Sequence, residues 1–329
     1  MISDRLSAID PEFAEGLRDL QDLWREFGPT KGRFIWNSPL EWIQQLEEVI
    51  ETDPNISAIQ LLKVREILKY LREEGYLLEA EVAEDESEWF KQLADAKAKG
   101  SEFEYVVSQS PEARDLGSIS WSECLEHLSH PGNQKHNWEI KGSIHEYRDA
   151  LTPLILSANA IYFVDPYLDP LATPHGGLDL LQNILPLVRK AKKCREIHII
   201  SENPDKNRTD DEYFRSLERG MRSEYESRLP GNCPLTWHIL WDDRHTRKNE
   251  SYFGTHDRHF LTNKGGLSFS KGFFLHPKKR DESFEVFYMA KTNFDQKYKR
   301  YAGRLTQEAG TKPQIGNRNI ERIKVMPRS

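Results

Sequence analysis

The sequence predicts a chain in two parts: an all-helical, acidic front and an α/β back built on a mixed sheet flanked by helices. Three observations carry this. Before residue 130 the apolar residues recur at helical spacing; after residue 143 continuous apolar runs alternate with amphipathic ones; between them SHPGNQKHNWEIKGS gathers turn formers and polar residues. The parts are residues 1–130, a helical domain; 131–143, a linker; 144–310, the α/β domain; and 311–329, a basic tail expected to be flexible. With 329 residues, 37% hydrophobic and 11% aromatic, the chain can bury two cores.

In the front, SPLEWIQQLEEVIET opens with Ser38 as N-cap, Pro39 at the first helical position and Glu41 three residues after the cap. ISAIQLLKVREILKYLREEGYLLEA places Ile56, Ile59, Leu61, Leu62, Val64, Ile67, Leu68 and Leu71 at helical spacing, with Gly75 as C-cap. EVAEDESEWFKQLADAKAKG reads as a solvated helix or linker. WSECLEHLSHPG sets Cys124, His127 and His130 at i, i+3 and i+6, a spacing that suits zinc but that a polar helix end explains equally; no metal and no cofactor is assigned.

In the back, IHEYRDALTPLILSANA is an amphipathic helix, AIYFVDP a buried strand, GLDLLQNILPLVRKAKKC a helix and REIHIIS a second buried strand. This alternation predicts a parallel pair with a crossover helix. TDDEYFRSLERGMRSEYESRL is a helix with an acidic first turn, and PLTWHILWDD a third strand. HDRHFLTN and GGLSFSKGF form a hairpin, SFEVFYMA a further strand and FDQKYKRYAGRL a last helix.

The net charge of −7 is unevenly spread: residues 1–130 carry about −15, residues 131–240 about −1 and residues 241–329 about +9. A basic carboxy-terminal segment suits a phosphate-bearing partner, and the acidic front suits a protein partner or the basic end of the chain itself. The cysteines, Cys124, Cys194 and Cys233, are far apart and odd in number, so no disulfide framework is expected. No apolar run reaches the roughly 18 residues of a membrane span and no signal sequence opens the chain, so a soluble, cytoplasmic protein is expected. Walker A, GxGxxG, GxSxG and HExxH motifs are missing.

The stretch GTHDRHFLTNKGGLSFSKGF, residues 254 to 273, is where the chemistry gathers. Strand alternation turns His256 and Arg258 to one face and Asp257 and His259 to the other. An imidazole beside a permanent cation is what phosphodiester chemistry needs: a nucleophile or base, and a group to hold non-bridging oxygens. Gly265 and Gly266 allow close backbone approach to a phosphate, with Ser268, Ser270 and Lys271 as further donors. Asp165, Tyr167 and Asp169, in VDPYLDP, lie at a strand end, where open α/β sheets collect ligands; a capped turn is the alternative reading. Arg244, His245, Arg247 and Lys248 before the motif, and Lys278, Lys279 and Arg280 beside Phe273 and Phe274, suit single strands or simply solvated loops.

These residues resemble a degenerate form of the His-x-Lys motif of the phospholipase D superfamily, over roughly residues 144 to 305. His256 matches the nucleophile, Arg258 replaces the lysine, Asn263 stands where the aspartate belongs, and Gly265 or Gly266 with Ser268 match the glycine and serine. IYFVDPYLDP is similar to the DPY segment of many such domains. The resemblance implies a phospholipase-D-like fold and metal-independent phosphodiester cleavage. His256 would attack phosphorus, Arg258 would steady the oxyanion, Asn263 and Ser268 would orient the site, and a homodimer would supply the second histidine. An HDR form is also similar to the inactive, lipid-binding phospholipase-D-like domain of certain microtubule-interacting-and-trafficking proteins, and to bacterial proteins in mobile-element or phage-defence settings. The expected function is binding, and in an active form cleavage, of nucleic-acid phosphodiesters. The alternatives are a non-catalytic module for phosphate or anionic lipid, and a scaffold subunit of a larger complex.

Overall fold

A computed structural model describes residues 6–14, 16–37, 42–54, 56–79, 89–129, 137–174, 176–191, 193–205, 207–241, 258–273, 275, 283–303, 314–315 and 318–328. The chain divides into two compact units, Met1–His136 and Asn137–Ser329. The division falls within the segment 131–143 read above as a linker.

The first unit runs β1 (Leu6–Ile9), α1 (Leu17–Glu26), β2 (Phe34–Asn37), α2 (Trp42–Glu51), α3 (Ala58–Glu73), β3 (Leu77–Glu79), α4 (Trp89–Ala98), β4 (Val106–Val107) and α5 (Trp121–Ser129). Its four strands form a parallel sheet in the order β3-β2-β1-β4, so the all-helical expectation is corrected to α/β. The physical reason is length. Strands of two to four residues in a covered parallel sheet read as short apolar runs with no period of their own, and the strong helices around them dominate the pattern.

α3 starts on Ser57, in a capping box with Gln60, and ends before Gly75, whose φ of +78° turns the chain into β3. It buries Val64, Leu68 and Leu71 but leaves Ile59 70% and Leu62 63% exposed, so the apolar stripe is wider than the packed face. α4 buries Trp89, Leu93 and Ala96 and is a packed helix. The proposed cap at Ser38, Pro39 and Glu41 lies outside the described residues. Cys124 is fully buried on α5, and burial pushes its thiol up to about 12; His130 lies outside the described residues. Among the described residues no group of three or more His, Cys, Asp or Glu is placed to hold a metal ion.

The second unit runs β5 (Asn137–Ile140), α6 (Ile144–Ser157), β6 (Ala160–Val164), α7 (Gly177–Lys190), β7 (Glu196–Glu202), α8 (Asp211–Tyr225), β8 (Leu235–Trp241), β9 (His259–Thr262), β10 (Gly266–Phe269), β11 (Phe284–Tyr288), α9 (Lys291–Tyr298), β12 (Gln314–Ile315) and β13 (Arg318–Val325). One nine-stranded sheet takes the order β12-β13-β8-β7-β6-β9-β10-β11-β5. β6, β7 and β8 are parallel, as buried strands joined through helices must be; all the other pairings are antiparallel.

Two expectations are corrected here. β5, inside the supposed linker, is an edge strand paired with β11. The basic tail is not loose, because β13 pairs with β8 from Asn319↔Trp241 to Val325↔Leu235. Ile323 and Val325 alternate with charged residues, a period-2 pattern visible only once the segment has a sheet to join.

Aromatic side chains fill one side of the centre of this sheet. Phe163 packs on Phe260 and Phe273 at centroid distances of 5.1 and 5.5 Å, and Tyr147 of α6 lies 5.9 Å from both Phe269 and Phe284. A second cluster, with Tyr162, Val164, Ile200, Leu240, Leu261 and Met289, packs on Phe294 and Tyr301. No helix among the described residues is long and apolar enough to cross a membrane.

Candidate functional site at the end of β6

β6 and β9 are antiparallel with Val164 opposite His259. One step further along the same register sets Asp165 across from Arg258, so the VDPY segment meets Arg258 at the C-terminal end of a central strand.

Asp165 is buried and holds the rim together. Its Oδ1 accepts from Tyr167 N at 2.9 Å and its Oδ2 from Phe273 N at 2.8 Å, tying the loop after β6 to the segment after β10. Burial pushes this carboxyl above its usual range, against the two amides and the nearby Arg258 and His259. Arg258 donates from Nη1 to the Ser270 carbonyl at 3.3 Å, and its guanidinium lies 5.6 Å from the Tyr167 ring centroid. Its Nε is buried and, among the described residues, has no acceptor. Tyr167 itself is 71% exposed, an aromatic ring at the mouth of the site. Asp169 does not join this cluster; its Oδ1 accepts from Leu171 N at 2.9 Å, a capped turn.

Strand alternation turns His259 away from Arg258. The hairpin pairs it with Ser268, and His259 Nδ1 lies 3.1 Å from Ser268 Oγ with both residues buried. That distance suits a nucleophile and its base, but the pair is enclosed and its ring packs 6.3 Å from Tyr301. Sequence could have found this pair: a turn at Thr262 to Gly265 makes opposite positions sum constantly, which brings 259 to 268.

The other expected site residues separate. Asn263 lies five residues beyond Arg258, about 16 Å at about 3.3 Å per strand residue. Its Oδ1 accepts from Asn159 N at 2.8 Å and Ala160 N at 3.3 Å, fastening the start of β6. Gly265 closes the turn: its N–H donates to Thr262 Oγ1 and its carbonyl accepts from the same hydroxyl, both at 3.0 Å. At Gly266 a Cβ would come within 2.7 Å of Leu261 Cδ2 and 3.2 Å of the Phe260 carbonyl oxygen. These glycines serve close packing at the far end of the hairpin from Arg258. Ser270 is used by the sheet, its amide donating to the Glu285 carbonyl and its Oγ accepting from Glu285 N, both at 3.0 Å. Lys271 follows it, half-buried, toward the rim. Phe273 is a core ring, not a surface platform.

His256, the expected nucleophile, lies outside the described residues, as do Arg244, His245, Arg247, Lys248, Phe274, Lys278, Lys279 and Arg280. No known family model matches the chain, and no curated protein sequence matches it.

Proposed function

We propose that the carboxy-terminal unit is a phospholipase-D-like module that binds phosphodiesters of nucleic acid, with Arg258 as the phosphate ligand. The observation that carries this reading is the buried Arg258 Nε, without an acceptor among the described residues, beside an exposed Tyr167 ring. A planar guanidinium with an unused N–H suits a phosphate oxygen, and an aromatic face beside it suits an unstacked base. The meeting of the VDPY segment with Arg258, and the charge of about +9 over residues 241 to 329, support the same reading. Cleavage would use His256 as nucleophile and a second copy of the chain to protonate the leaving group. Without turnover the same residues form a binding module, for nucleic acid or for an anionic lipid headgroup.

The test is retardation of labelled single- and double-stranded DNA and RNA by the full chain across a salt series, scored also for cleavage without metal. Anionic vesicles run in parallel. Salt-sensitive retardation that weakens in Arg258→Ala is expected. Metal-independent cleavage lost in His256→Ala identifies a nuclease, and binding to vesicles alone replaces nucleic acid with lipid. Binding of neither, or binding indifferent to Arg258, overturns the reading.

A further inference from the structure

Cys194 and Cys233, separated in sequence by β7 and α8, come together at the N-terminal ends of adjacent parallel strands. Ile197 pairs with Leu235, and Ile197 N donates to the Pro234 carbonyl at 3.0 Å, so the segments leading into β7 and β8 run side by side. Each cysteine is held by a turn of its own: Cys194 N donates to the Ala191 carbonyl at 3.0 Å and Cys233 N to the Pro230 carbonyl at 3.1 Å. The sulfurs are 3.9 Å apart and both residues are buried. An S–S bond is about 2.03–2.05 Å long, so the two sulfurs must approach by about 1.9 Å to close a disulfide.

We propose that Cys194 and Cys233 are a redox dithiol that closes to an intramolecular disulfide across the N-terminal ends of β7 and β8, with a hydroperoxide as oxidant. Cys194 reacts first. It is the more exposed of the two, 6% against 1%, and the hydrogen bond between the two sulfurs lowers its thiol below the usual range while raising that of Cys233. The Cys194 sulfur attacks a peroxide oxygen, the O–O bond breaks, and Cys194 becomes a sulfenic acid as the first water leaves. The Cys233 sulfur then attacks the sulfenic sulfur; the S–O bond breaks and the departing hydroxide takes the Cys233 proton as the second water. Two electrons pass from the two thiols to one hydrogen peroxide. Cys124, alone in the other unit, takes no part.

The experiment treats the reduced full chain with hydrogen peroxide under native conditions, alkylates the remaining thiols, and reads intact and peptide masses. The expected result is loss of two hydrogens per chain, a single cross-linked peptide joining Cys194 to Cys233, one alkylated thiol at Cys124, and full reversal by dithiothreitol. Cys124→Ser keeps the cross-link; Cys194→Ser and Cys233→Ser each abolish it. Thermal unfolding of the oxidised chain shifts upward, because the cross-link restricts the unfolded ensemble. Three alkylated thiols after oxidation, a cross-link to Cys124 or between chains, or one that forms only in denaturant would overturn the proposal.

Discussion

The two ends of the β9–β10 hairpin both carry expected site residues, yet they do different things. At the turn, Asn263, Thr262 and Gly265 spend their polar groups on the protein itself, on Asn159, on Ala160 and on one another. At the open end, Asp165 is likewise satisfied, but Arg258 keeps a buried Nε with no acceptor in the described fold. A motif residue whose hydrogen bonds are closed by its own chain is explained by folding. One that is buried and incompletely bonded is the better place to look for a ligand.

The largest expected effect tests whether the open end is built or incidental. Asp165→Ala leaves the amides of Tyr167 and Phe273 without their acceptor, and at about 1–3 kcal/mol for each unsatisfied group stability falls by about 2–6 kcal/mol. Denaturant unfolding measures this, and loss of retardation should accompany it because the rim loops come apart. Asp165→Asn keeps one acceptor and should fall between the two.

Arg258→Ala should do the reverse, reducing affinity about 10- to 100-fold, as expected for a charge-assisted hydrogen bond of about 1.5–3 kcal/mol, while the unfolding midpoint changes little. Tyr167→Ala should weaken single-strand binding more than duplex binding, since stacking on an aromatic face contributes about 1–3 kcal/mol per base. Equal loss on both substrates would remove Tyr167 from base recognition.

At the turn the expected effects are on stability alone. Gly266→Ala forces Leu261 and the Phe260 carbonyl to shift and should cost about 1–3 kcal/mol, with affinity unchanged once the protein is folded. Asn263→Ala, at a partly exposed position, should cost about 1 kcal/mol. A selective loss of binding in either variant would collapse the distinction between the two ends.

A smaller, pH-dependent effect lies away from both ends. His238 is buried, its Nε2 lies 3.0 Å from His198 Nδ1, and burial together with the neighbouring His198 and Arg322 holds its imidazole well below the ordinary 6.5. Folding therefore favours the neutral ring. That stability is present above pH 6.5 and is lost as pH falls below it, because the unfolded chain takes up a proton the folded one refuses. The slope is at most about 1.4 kcal/mol per pH unit for one proton. His238→Gln should flatten this part of the stability profile, measured by denaturant unfolding between neutral and mildly acid pH.

The alternation of helix and strand from α6 to β8 and the hairpin of β9 and β10 were determined by the sequence alone. Amphipathic period, continuous apolar runs and turn chemistry are local properties, and each of these segments is long enough to display them. The expectation of Asp165 and Tyr167 at the site rested on their place at a strand end, and the bonding of Asp165 could not be read from it. Only tertiary structure decided the rest. The front sheet is built from strands too short to carry a period, and β13 is a strand because β8 offers it an edge. Asn263, Gly265 and Gly266 fell out of the site because they lie three to five strand positions along the hairpin from Arg258, a distance that motif spacing does not convey. Cys194 and Cys233, which sequence separation had set apart, became neighbours because two parallel strands begin side by side. Sequence shows which groups a segment offers, while the long-range register of the sheet determines which of them meet.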